Sequence, residues 1–193
     1  MSITNYIKDC TKNVAGNNDK LYVAAYEDIA GVTFSGTTFT DISMDSGKKF
    51  ALLMADLDAV QYTSSGTAGR SYYSEQNLIA RFSKKSPELE TTVNDLIDQA
   101  TCGLVVIRID GNNNGWISGI SPLDESIANR PYLSLTEEFD SGASIEDEEG
   151  NAYSLTFTRM SATREYDVAS AVVTALLGRT AAFVDWTGYT PPA

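Results

Sequence analysis

The chain has 193 residues, with 14 Lys and Arg against 26 Asp and Glu, a formal charge of −12, and no histidine. Without imidazole, Ser-His-Asp and Cys-His catalysis and His-based metal sites are excluded. Two cysteines are too few for a zinc or iron–sulfur centre, and so acidic a chain is poorly suited to clamping nucleic-acid phosphates.

A hydrophobic content of 42% with 21% charged residues is that of a globular chain. The length points to one domain, with room for arms. Cys10 and Cys102 lie far apart with no CxxC spacing, so each reads as a small hydrophobe. No apolar run approaches the roughly 18 residues of a membrane span, and residues 1–20 lack the apolar stretch of a secretory signal. The cytoplasm of the cell that makes it is the expected compartment.

Period-two patterning dominates, which means strands. Residues 1–20 read as a leader. Residues 21–26 form a short apolar strand and 39–44 a weaker one. Phe50, Leu52 and Met54 alternate with Ala51, Leu53 and Ala55, the pattern of a strand buried on both faces. Residues 57–83 read as a long hairpin with a Ser/Gly tip. On its second strand Tyr72, Leu78, Ala80 and Phe82 share one face, and Glu75, Asn77 and Arg81 the other. A helix is expected over 87–100. Ser86 is its N-cap, Pro87 and two glutamates open it, Gly103 follows it, and Leu89, Val93, Leu96, Ile97 and Ala100 make its apolar stripe.

Beyond the helix, Val105, Ile107 and Ile109 face one way and Leu104 and Val106 the other. An Asn/Gly turn returns the chain through Trp116 to Ile120. A strand over 132–139 should point Leu133, Leu135 and Phe139 inward. Tyr153, Leu155 and Phe157 alternate with Ser154, Thr156 and Thr158 in the cleanest half-buried strand of the chain. Residues 167–177 fit either a helix capped by Asp167 or a Val-rich strand. Residues 161–193 form a C-terminal extension whose aromatic end needs a surface to pack on.

No catalytic, cofactor-binding or metal-binding residue stands out, so no enzyme activity and no cofactor are expected. Asp110 to Gly115 matches the first half of a calcium loop, D-x-N-x-N-G, but Ser121 stands where the bidentate glutamate belongs. A hairpin turn accounts for the same residues. Glu146, Asp147, Glu148 and Glu149 form an acidic run that reads as a solvated turn, with a cation site or a repulsive surface as the alternatives. Tyr72 and Tyr73 near the hairpin tip, and Phe183, Trp186 and Tyr189 in the tail, are candidates for a subunit interface, with local packing the alternative.

The order of these features resembles the tail tube proteins of bacteriophages, especially the type from phages of Bacteroidetes hosts. The likeness rests on Cys10 to Gly16 before Leu21-Tyr22-Val23-Ala24, the helix 87–100, Val105 to Asp110 turning through Asn112 to Gly115 into Trp116-Ile117-Ser118-Gly119, and Tyr153 to Thr158 after Glu149-Gly150-Asn151. It covers residues 8–160. The stretch from Met160 to Trp186 exceeds the short ending of that family, so a tail tube, a neck or terminator ring and a short-tail barrel ring all stay open.

The resemblance implies a mostly β fold, an antiparallel sandwich or barrel over residues 21–160 with one flanking amphipathic helix. It implies a homo-oligomeric ring in the virion tail, in contact with adjacent tail or neck proteins, with no membrane. DNA would pass through the channel without specific binding. Carboxylates lining such a channel, with Glu146 to Glu149 as candidates, would repel phosphates over a range of about 8–10 Å. Another virion or surface β-sandwich module, with or without calcium at Asp110, is the alternative, and a carboxylate-based hydrolase a remote one.

Overall fold

The computed structural model describes residues 17–56, 59–67, 73–82, 86–120, 131–132, 134–140, 152–161, 165–177 and 183–184. The chain is mostly β, a two-sheet sandwich with a flanking helix, as expected. In chain order the strands are β1 (Asn17–Ala25), β2 (Ile29–Ser35), β3 (Thr38–Met44), β4 (Phe50–Met54), β5 (Val60–Thr67) and β6 (Tyr73–Phe82). Helix α1 (Pro87–Ala100) follows, then β7 (Leu104–Asp110), β8 (Gly115–Ser118), β9 (Ser134–Asp140), β10 (Ala152–Ser161) and β11 (Tyr166–Val168). Helix α2 (Ser170–Leu177) and β12 (Phe183–Val184) close the described chain.

The larger sheet has the order β12-β4-β1-β7-β8-β11-β3-β2, and the smaller has β5-β6-β10-β9. Pairing is antiparallel throughout except between β11 and β3. Strands β1 and β7 lie inside the larger sheet, and their apolar runs, residues 21–25 and 104–107, are buried on both faces. One face, with Leu21, Val23, Leu53, Leu104 and Val106, packs on α1 and on the inward residues of the smaller sheet. The other face, with Tyr22, Phe39, Phe50, Ile107 and Ile117, packs on Val172, Val173 and Leu176 of α2.

Helix α1 forms where its signals place it. The Ser86 hydroxyl accepts a hydrogen bond from the Leu89 N–H at 3.2 Å, and Pro87 occupies the first turn, where its missing N–H costs nothing. Val93, Leu96 and Ala100 are buried, whereas Ile97 sits at the solvent margin of the stripe. Gly103 follows with φ +101°, a conformation that glycine adopts without strain.

Several expectations need correction. Segment 167–177 is neither all helix nor all strand: Asp167 lies inside β11, and α2 starts only at Ser170. A three-residue strand is too short to show a period. Met54 is 52% exposed at the end of β4, so that strand is not buried on both faces along its length. Phe139 is 43% exposed because β9 is a sheet edge, where an inward phase does not guarantee cover. Strand β2, which sequence patterning leaves unassigned, is another edge, half-buried and irregular.

Residues 17–20 belong to β1 rather than lying ahead of the first strand. Of the 57–83 hairpin, β5 and β6 pair over eight residues, from Val60 opposite Ala80 to Thr67 opposite Tyr73. Its tip lies outside the described residues.

Candidate functional site

Alternation carries two arginines into the sandwich. Arg108 follows Leu104 and Val106 on the inward phase of β7, and Arg159 follows Tyr153, Leu155 and Phe157 on that of β10. A charge there must be compensated, because burial strips its hydration. Glu165, in the connection from β10 to β11, supplies the partner for Arg108. Its carboxylate accepts from Arg108 Nε at 2.9 Å and from the terminal nitrogen at 2.6 Å.

The Arg108 guanidinium also lies over two rings, Tyr62 of β5 at 4.5 Å and Trp116 of β8 at 5.6 Å. Both are within cation–π range. The ion pair therefore joins the larger sheet, the smaller sheet and the crossover between them.

Arg159 completes this polar layer. It is 3% exposed, donates from Nε to the Gln76 side-chain oxygen at 2.7 Å, and lies 5.2 Å from the Tyr132 ring. The Ser118 hydroxyl donates to the Tyr132 oxygen at 3.1 Å. Burial pushes the Tyr62 and Tyr132 phenols up, and the Glu165 charge adds to both shifts. Both tyrosines thus stay neutral donors and acceptors near neutral pH. The layer holds no arrangement of nucleophile, base and oxyanion donors, and its chemistry is that of a staple between sheets.

The Asp110 loop is a turn built around one carboxylate. Oδ1 accepts from the backbone N–H groups of Asn112 at 2.8 Å and Asn114 at 2.9 Å. Oδ2 accepts from the Asn114 side chain at 3.1 Å and from Trp116 Nε1 at 3.2 Å. Burial pushes the Asp110 carboxyl up, but these donors together outweigh it and leave it below its ordinary value. Asn113 takes φ +63°, as an Asn in such a turn can. Any cation here would have to displace donors already in place. Among the described residues no cluster of three or more acidic, His or Cys side chains is arranged to hold a metal.

Of the interface candidates, Tyr73 opens β6 opposite Thr67, and Phe183 lies in β12, opposite Ala51 of β4 in the same chain. Tyr72, Trp186, Tyr189, Glu146, Asp147, Glu148 and Glu149 lie outside the described residues.

Among the described residues, the ends of the smaller sheet differ in character. In the smaller sheet, β5 forms one end and β9 the other. Strand β5 pairs with β6 without a bulge and carries no charged residue and no proline. Strand β9 carries Glu137, Glu138 and Asp140. Glu137 accepts a hydrogen bond from the Tyr153 hydroxyl, and burial followed by that bond pushes the phenol up.

The fold and its edges define a class, a two-sheet, mainly antiparallel sandwich whose smaller sheet has, among the described strands, a regular, uncharged strand at one end. No protein-family model, no curated protein and no solved structure matches the chain. No helix among the described residues is long and apolar enough to cross a membrane.

Proposed function

We propose that this chain is a structural protein of a bacteriophage virion, a subunit that closes with copies of itself into a ring of the tail. Tube, neck and tail-barrel rings all fit that description. DNA passes through the channel without being bound.

The observation that carries the reading is the contrast between the two ends of the smaller sheet. Proteins blunt exposed sheet edges with lysine, proline, bulges or short strands, because a bare edge recruits another strand. Strand β5 has none of these over its eight residues. Strand β9 is acidic, so two β9 edges repel each other, whereas an uncharged β5 edge meets a β9 edge without like-charge cost. Pairing β5 of one subunit with β9 of the next is head-to-tail, and head-to-tail contacts generate rings when the rotation closes. The excess of acids repeats around such a ring and suits a conduit that must not retain DNA.

Mass spectrometry of purified virus particles, with negative-stain microscopy of the isolated protein, tests this. The expected result is many copies per particle, with rings or tubes on assembly. Absence of the chain from the particle overturns it.

A further inference from the structure

The outward face of the smaller sheet has an organisation of its own. Strand registers place Gln61, Ile79, Thr156 and Thr136 in one row across all four strands, and the row through Asn77 and Thr158 beside it. Both rows are free of charge, in a chain of net −12. Charges return in the rows on either side, with exposed Glu75 of β6 below and exposed Arg81 of β6 and Glu138 of β9 above, the last two in one row through Ser154 and all three on the outward phase. Thr158 donates to the Asn77 oxygen at 2.7 Å and Asn77 donates to Glu75 at 2.9 Å, which holds the Glu75 carboxylate against the face. Met160, 55% exposed, stands beside Glu75 on β10, and Ser154 stands beside Arg81 on the same strand.

We infer that this face seats a second copy of the chain, sheet against sheet, about a two-fold axis that runs across the strands between the levels of Asn77 and Ile79. The operation is set by the charges. It lays β6 antiparallel over its copy, so that Arg81 of each subunit stands over Glu75 of the other, twice by symmetry. The same operation sets each protruding Met160 over the small Ser154 of the partner. The uncharged rows meet at the centre, where two acidic chains approach with least repulsion. Stacked sheets lie about 10 Å apart and rotate by roughly 30°, a span that an Arg and a Glu side chain together bridge.

Four strands about 4.8 Å apart over seven residues cover on the order of 400 Å² a side, well below the roughly 800 Å² of a standard interface. The dimer is therefore weak and concentration-dependent. It is separate from the edge pairing proposed above, since it uses the face and not the rim of the sheet.

Sedimentation equilibrium of the full chain, from about 10 μM to about 1 mM, is the test, with Arg81→Glu, Glu75→Arg and the double variant beside the native protein. Circular dichroism checks that each variant is folded. The expected result is a native dimer that each single reversal weakens by about tenfold or more, since it replaces two attractions by two repulsions, and that the double reversal restores. A native chain without a dimer over that range, single reversals without effect, or a double variant as weak as the singles would each overturn the inference. Association through β5 and β9 would not follow this swap pattern.

Discussion

Arg108 and Glu165 form a two-pronged ion pair with their side chains only 11% and 7% exposed, clasped between the Tyr62 and Trp116 rings. Its geometry decides its energetics. Desolvating both charges offsets much of their attraction, so the pair adds little net stability relative to an apolar pair of the same shape. Removing one partner strands the other. Arg108→Met or Glu165→Leu should each cost about 3–5 kcal/mol, and the two together less than the sum of the two. Urea unfolding of the four proteins gives the coupling. Additive losses would show that the two groups do not act as a pair.

Gly115 sits opposite Val168, under α2. A Cβ added there would meet Val173 Cγ2 at 2.6 Å and Val168 Cβ at 2.8 Å, both inside contact distance. Both neighbours are buried and branched close to the backbone, so neither moves away cheaply. Gly115→Ala should lower stability by about 1–3 kcal/mol through overpacking. Gly36→Ala, at a hairpin turn with φ +65° and nothing within 4 Å, tests backbone conformation without crowding. A thermal melt that shifts less for Gly115→Ala than for Gly36→Ala would contradict the crowding.

These positions show where sequence reasoning reaches and where it stops. Helix α1 is legible because Ser86, Pro87 and a helical stripe agree, and β10 because Tyr153, Leu155 and Phe157 alternate with hydroxyl residues. Strand β2 is not, because an edge strand with register shifts shows no clean period. The length of α2 is obscured by β11, whose Val168 continues the same apolar run. Arg108 and Arg159 carried a signal, since each falls on the inward phase of its strand. Their partners did not, because Glu165 and Gln76 are brought to them by pairing between distant strands. The sheet order behind the β5 and β9 edges is likewise a matter of long-range pairing, which local patterning does not encode.

The Asp110 carboxyl is held below its ordinary value by the turn donors that bond its ionised form. A carboxyl lowered on folding contributes stability that is present above its unfolded pKa, about 3.9, and is lost as pH falls through the folded value. Asp110→Asn should therefore melt below the native protein at neutral pH, with the gap narrowing below about pH 4. A constant gap across pH 3 to 7 would show that ionisation is not the stabilising property. Because the carboxylate oxygens already serve the turn, millimolar calcium should leave the native melting temperature unchanged, and a rise would assign the loop to a cation.

Tyr22 anchors α2 to the larger sheet. Its ring is fully buried in the core beneath Val172 and Leu176, and its hydroxyl donates to the Leu176 carbonyl at 2.7 Å, in the last turn of the helix, where no following N–H is available within the helix. Two separable contributions follow. Tyr22→Phe keeps the packing and leaves the carbonyl without this donor, which should cost about 1–2 kcal/mol. Leu176→Ala keeps the hydrogen bond and opens a cavity, which should cost about 2–5 kcal/mol. Amide hydrogen exchange tells global from local effects. If α2 is an integral wall of the second core, Leu176→Ala speeds exchange in β7 and β8 along with α2. If exchange quickens in α2 alone, the helix is a detachable cover, and the body of the sandwich stands without it.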